Sequence, residues 1–275
     1  MDAYNAVVDL RDIIGEETAK HWSDRMLLNC LNRAQARLYL KLSMTMGDWF
    51  VKSKVLSFSS SVASLPDDCA KPLFLKNETN NEIVPINLSS RDQDHELLPS
   101  YEGLFNSTHR AFLYGNYVKV NYTLSGNLTL WYEQRNTNLH MGTAAAGGTD
   151  SLTLSADSPR SYVDDYYNGL DLLVVSGTGS GTLAEITDYT GSTGVLTLSG
   201  TFDSDSIYGI LSNLPEPGYD AWIARAAFIA LSKPSGVIDK ETIAWVREDM
   251  REAEDTFENW ISTRVKDNIF MREGR

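Results

Sequence analysis

Apolar residues recur at three- and four-residue spacing near both ends of the chain and alternate with polar ones between, so terminal helices should flank a β-rich centre. Ala3, Ala6, Val7, Leu10, Ile13 and Ile14 predict a first amphipathic helix that Gly15 closes. Ser23 is a good N-cap for a second helix, whose stripe of Leu27, Leu31, Ala34, Leu38 and Leu42 should run to about Met46 before Gly47. After Trp49 the segments shorten and fill with β-branched and aromatic residues. Val51–Phe58, Pro72–Leu75, Glu82–Ile86 and the pair Arg110–Tyr114 and Tyr117–Tyr122 about Gly115-Asn116 read as strands. Leu128, Leu130 and Tyr132 alternate with Thr129 and Trp131 in one more, while Ser90–Leu97 reads as a polar helical turn. A small antiparallel sheet is the expectation.

At Gly142 the run GTAAAGGTDS carries no core-forming side chain and predicts a hinge into an inserted module. Its candidate strands are Leu152–Leu154, Leu170–Val175, Ala184–Thr187 and Val195–Leu198, and Leu214-Pro215-Glu216-Pro217-Gly218 returns the chain to helix. Tyr219–Leu231 should be a nearly buried helix, stopped by Lys233-Pro234-Ser235-Gly236. Asp239 then caps a long one with a seam at Ile243, Val246, Met250, Ala253, Phe257 and Trp260, expected to pack on the second helix, with a neighbouring subunit as the alternative. From Thr263 the pattern fades into a basic tail.

The predicted class is α+β: a helical bundle of N- and C-terminal helices with a small antiparallel sheet and an inserted all-β module, a barrel or a sandwich. Residues 1–141 and 215–262 form the body, 142–214 an independently folding insert and 263–275 a tail.

Charge and chemistry narrow the picture. With 24 basic and 37 acidic residues the chain carries −13, of which −8 falls between Ala144 and Asn213, where nine acids meet only Arg160. Free-duplex binders grip DNA with a basic face, so this balance argues against a nucleic-acid clamp and leaves open a conduit that DNA traverses. No apolar run reaches the roughly 18 residues a membrane helix needs, and the N-terminus lacks a secretory signal, so the Asn-x-Ser/Thr sequons at Asn77, Asn87, Asn106, Asn121 and Asn127 carry no weight. Cys30 and Cys69 read as buried apolar residues rather than a disulfide framework.

His21, His95, His109 and His140 lie far apart, with no metal-ligand spacing, and Gly177, Gly179 and Gly181 lack the Lys-Ser/Thr of a phosphate loop. Ser180 lacks a nucleophile-elbow context. Asp157, Asp164, Asp165, Asp171 and Asp188 read as turn residues before they read as ligands, and Tyr162, Tyr166 and Tyr167 as packing before a sugar platform. No catalytic constellation, metal site or cofactor site is expected, and the chain is read as no enzyme.

WSDRMLLNCLNRAQARLYLKL, Trp22–Leu42, resembles the second helix of tailed-bacteriophage head-to-tail connector (adaptor, or head completion) proteins, as does Leu65-Pro66-Asp67-Asp68 before a strand. Ser161–Ser199 is similar to a β module recurring in tailed-phage structural proteins. The resemblance implies a structural virion protein of the neck, assembled in the host cytoplasm as a dodecameric ring under the portal. Such a ring extends the DNA channel, passes genomic DNA without sequence-specific binding and offers a platform for tail, tail-tube or fibre proteins. The tail residues Arg264, Lys266, Ile269, Phe270, Met271, Arg272 and Arg275 are the candidate portal-docking set. The competing reading is a carbohydrate-binding or adhesin-type tail protein, with the acidic insert as its binding surface.

Overall fold

A computed structural model describes residues 1–16, 21–87, 109–232 and 240–273, without the side chains of 47, 48 and 265–273. The expected turn at Ser90–Leu97, the Lys233–Gly236 stop and the Asp239 cap lie outside the described residues. The class is α+β, with four helices, one nearly closed seven-stranded sheet and two smaller sheets. No helix among the described residues is long and apolar enough to cross a membrane.

The chain divides into two compact units, residues 1–46 with 136–275, and residues 47–135. The expected division was elsewhere, at 142 and 214. The acidic β segment groups with the helices, and the central sheet stands as the second unit.

In the helical unit, α1 (Ala3–Ile14) starts where the Asp2 carboxylate accepts the Tyr4 and Asn5 amides at 3.0 Å each, and ends on Gly15 at φ 69°, a conformation that favours glycine. α2 (Asp24–Thr45) begins at Ser23, whose Oγ accepts the Met26 N–H at 3.3 Å. Between them Arg11, almost fully buried, donates to Glu16 Oε2 at 3.2 Å, Trp22 O at 2.7 Å and Asp24 Oδ1 at 2.6 Å. Glu16 in turn accepts the His21 and Trp22 amides, so a paired buried charge ties the end of α1 to the start of α2.

α3 (Tyr219–Leu231) is buried over nine of its thirteen residues, five of them alanines. Its Trp222 is fully enclosed and donates from Nε1 to Leu31 O of α2 at 2.9 Å. α4 (Lys240–Glu273) packs chiefly against α3 through Val246, Phe257 and Ile261, touching α2 only lightly, so its seam has a different main partner from the expected one. Gly218, just before α3, makes that contact possible: a Cβ there would lie 2.9 Å from the Phe257 ring. Arg225 of α3 grips the Glu254 carboxylate of α4 with two N–H groups, and Lys41 of α2 pairs with Glu258. The tail expected from Thr263 is the continuation of α4, because no Gly or Pro precedes Gly274 and backbone bonding continues after the apolar pattern fades.

Seven short strands complete this unit. β8 (Met141–Thr143), β14 (Ile207–Ile210), β10 (Asp171–Ser176) and β11 (Leu183–Glu185) make one antiparallel sheet; β9 (Ala146–Thr153), β13 (Val195–Thr201) and β12 (Asp188–Thr190) make the other. Leu152, Leu172, Val174, Leu196, Leu198 and Tyr208 are buried in these strands. The predicted hinge is therefore strand. A Cβ on Gly147 would sit 2.5 Å from the backbone at Phe202 and Asp203, so this glycine serves close approach between chain segments, not flexibility. Nor does the module stand clear of the helices: Asp2 bridges Leu211, and Ser212 N donates to Met1 O at 3.1 Å.

The second unit is the seven-stranded sheet, in the order β1-β7-β3-β4-β5-β6-β2. Its strands are β1 (Val51–Phe58), β2 (Val62–Ser64), β3 (Cys69–Asn77), β4 (Glu82–Asn87), β5 (Ala111–Tyr114), β6 (Tyr117–Val120) and β7 (Gly126–Gln134). The edge strands β1 and β2 are consecutive in the chain and meet at a Ser59–Val62 bridge, which nearly closes the sheet. The sheet is larger than expected and not wholly antiparallel, since β4 and β5 run parallel. Leu56, Phe58, Leu75, Val84, Val118, Val120, Leu128, Leu130 and Tyr132 fill it, following the alternation read in β7 and at the Gly115-Asn116 hairpin. Neither cysteine is bridged: Cys30 is buried, and half-buried Cys69 has its thiol pushed up to about 11 by burial and Asp68.

Phe257 is fully enclosed and Trp260 only half so. Phe257→Ala should therefore destabilise the chain by about 3–5 kcal/mol in urea unfolding, and Trp260→Ala by clearly less. Equal losses would contradict this packing.

Candidate functional site

The two longest helices each carry an exposed face. On α2, Met26, Arg33, Arg37, Leu40 and Met44 recur at seven-, four- and three-residue steps opposite the buried stripe, all exposed, Met44 to 86%. Neither Arg33 nor Arg37 has an ion-pair partner among the described residues. On α4, Glu241, Trp245, Glu248, Glu252, Asp255 and Asn259 recur at four- and three-residue steps opposite Val246, Phe257 and Ile261, again all exposed. One face is basic and apolar, the other acidic around an indole that is 60% exposed. Among the described residues the ion pair on the acidic face joins Glu248 to Arg251 at 3.6 Å, too exposed to neutralise it.

Beside the α2 face lies an open cleft of about 710 Å³. One wall is the α2 surface at Asn29, Asn32, Arg33 and Ala36, spaced at single turns; the other is Asn138 with the loop Pro159–Tyr167. Asn32 anchors the first wall to the second, accepting the Leu139 N–H at 2.7 Å and donating to Leu139 O at 3.2 Å. Fully buried Gln35 adds donations to Asn136 Oδ1 at 3.0 Å and Thr137 O at 2.9 Å. Arg160 is held over the loop by Thr193 O at 2.9 Å and Ser192 O at 3.4 Å, with its guanidinium in space that a side chain on Gly194 would fill.

Beneath the cleft the protein builds a dry polar knot. Tyr167 lines the floor and packs edge-on to Tyr166, Tyr189 and His140. His140 is fully buried; its Nδ1 accepts from Tyr208 Oη at 3.0 Å and its Nε2 donates to Ser158 O at 3.3 Å, an arrangement that suits the neutral ring. Tyr208 Oη in turn accepts the Ser155 N–H at 2.7 Å. Burial pushes the imidazole down to about 4 and raises the Tyr208 phenol. Enclosure of this kind gives His140 a supporting role for the floor.

Of the predicted docking residues, Arg264 lies with its guanidinium 5.4 Å from the Trp260 ring centroid. Lys266, Ile269, Phe270, Met271 and Arg272 fall in the last turns of α4, where only the backbone is described, and Arg275 lies outside the described residues. Of the five candidate acids, Asp164 Oδ1 accepts from Gly191 N at 2.8 Å, Asp165 Oδ1 accepts from Asn168 Nδ2 at 2.8 Å, the Asp157 N–H donates to Ser155 Oγ at 3.3 Å, and Asp171 and Asp188 begin β10 and β12. Gly177–Gly181 is the turn between β10 and β11, braced by Thr178 on Asp203 and Asp205. Among the described residues no three His, Cys, Asp or Glu side chains gather as a metal site. The sugar-platform candidates separate: Tyr166 and Tyr167 line the cleft, and Tyr162 lies outside it, below Arg160. The α2 wall and both outer faces escaped sequence reading, although the exposed heptad steps were present in it.

Comparison of the chain with protein-family models and with curated proteins finds no match.

His140 predicts a pH dependence. Its proton is bound by the unfolded chain near pH 6.5 but by the folded one only near 4, so the knot's stabilisation is complete above pH 6.5 and lost as pH falls toward 4. A shift of this size is worth about 3 kcal/mol. Urea unfolding at pH 7 and pH 4.5 should therefore show a smaller acid loss in His140→Gln than in the native chain; equal losses would remove His140 as the titrating group.

Proposed function

We propose that this chain is a ring-forming head-to-tail adaptor of a tailed bacteriophage, docked beneath the portal and extending the DNA channel. The observation that carries the reading is the pair of oppositely charged, exposed helix faces on α2 and α4. A subunit whose two contact faces differ cannot pair symmetrically through them; it joins head to tail, and such contacts close into rings when the rotation allows. Leu40, Met44 and Trp245 supply desolvated anchors, and Arg33 and Arg37 facing Glu248, Glu252 and Asp255 set register and partner choice.

The neck placement draws on the likeness of Trp22–Leu42 and Ser161–Ser199 to phage connector and structural proteins. In this reading the four helices form the bundle that is the rigid body of the ring, and the β strands project toward tail components. A net charge of −13 suits a channel that passes DNA without holding it. The portal-docking element is the end of α4, with Arg264, Lys266, Ile269, Phe270, Met271 and Arg272, together with Arg275 beyond it in the sequence.

Electron microscopy of the protein alone and mixed with candidate portal proteins tests the reading: dodecameric rings seated on a portal support it, and a chain that neither self-associates nor binds any portal overturns it. Truncation after Ser262 should leave the helices folded, since Phe257 and Ile261 remain, while portal binding falls sharply. Leu40→Glu combined with Met44→Glu should abolish ring formation, read by mass photometry, with an unchanged monomer melting temperature; intact rings would place the interface elsewhere.

A further inference from the structure

The cleft between α2 and the Pro159–Tyr167 loop adjoins the basic ring face of α2, sharing Arg33 with it, and its other lining residues lie off that face. The acidic stretch from Ala144 to Asn213 has a single basic residue, Arg160, and the fold places it on this wall, pinned by Ser192 O and Thr193 O with no carboxylate partner among the described residues. Thr193 O and Ser192 O take one hydrogen from each terminal nitrogen, which leaves Nε–H and the second hydrogen on each terminal nitrogen as donors for a carboxylate. Around it stand the groups that bind sugar hydroxyls: the side-chain amides of Asn29 and Asn138, the Ser161 hydroxyl and the half-exposed Tyr166 ring, fixed by the Asn138 N–H on its hydroxyl at 3.1 Å. Arg33 closes the rim with a second positive charge.

We infer that this cleft binds an acidic oligosaccharide, with Arg160 on the sugar carboxylate and the asparagine amides on its hydroxyls. The volume fits a short saccharide, within the roughly 300–1,000 Å³ usual for small-ligand sites. A peptide fits the lining less well, because Ala36 and Pro159 are its only aliphatic side chains and neither forms a socket for a larger apolar group. The tie of Asn32 and Gln35 to Leu139, Asn136 and Thr137 holds the walls in place before any ligand arrives, which limits the ordering penalty on binding.

The test is titration of the full chain with hexuronate- or sialate-bearing oligosaccharides, their neutral counterparts and a polyglutamate peptide. Acidic saccharides should bind, with neutral ones weaker by about tenfold or more, the worth of one charge-assisted hydrogen bond. Arg160→Lys, which keeps the charge but loses the paired donors, and Asn29→Ala or Asn138→Ala should each weaken binding several-fold. Both asparagine side chains are exposed, so those two variants should melt as the native chain does. Absence of acidic-saccharide binding, equal or tighter binding of polyglutamate, or binding unchanged by all three substitutions would each overturn the assignment.

Discussion

Burial of α3 is the constraint on which the helical unit depends. A helix with nine enclosed positions needs apolar cover on almost every side, and α1, α2 and α4 supply it, each spending its inner face there. The alanines at 221, 224, 226, 227 and 230 let those helices approach closely, and the Trp222 indole finds its hydrogen-bond partner in an α2 carbonyl. Polar ties then add specificity to the apolar contact: Arg225 to Glu254 and Lys41 to Glu258 hold α4, and Arg11 ties α1 to the start of α2 through Glu16 and Asp24.

With their inner faces committed, α2 and α4 are left with exposed outer faces, that of α4 bordering α1 where Trp245 and Glu252 line a groove with Asp9, Asp12 and Ile13. Those faces differ in charge and both carry large apolar side chains, which is unfavourable in an isolated monomer and useful in an assembly. The chain's function as proposed here thus follows from what the core consumes and what it leaves over. The cleft is a by-product of the same arrangement, since the outer flank of α2 that does not reach α3 faces the Pro159–Tyr167 loop instead.

Local signals were legible in the sequence where they are self-contained. Gly15 and Ser23 punctuate α1 and α2 by backbone and side-chain chemistry within a few residues, and Leu128, Leu130 and Tyr132 declare a half-buried strand by alternation alone. Misreadings came where a residue's meaning depends on distant partners. Gly142 and Gly147 resemble a flexible hinge until the backbone packed against Gly147 is known, and the seam of α4 names an apolar face without naming α3 as its partner. Of the cleft, Tyr166 and Tyr167 had been considered as a platform, but Asn29, Arg33 and Arg160 converge only through the fold.

The central claim is that the basic face of α2 meets the acidic face of α4 on the next copy, and complementary charge reversal tests it most directly. Sedimentation of Arg33→Glu/Arg37→Glu and of Glu248→Lys/Glu252→Lys, each alone and then mixed in equal amounts, separates head-to-tail joining from every symmetric alternative. Each variant alone should remain monomeric at concentrations where the native chain associates, and the mixture should recover assemblies of native size. A mixture that stays monomeric, or single variants that assemble as the native chain does, would contradict the account.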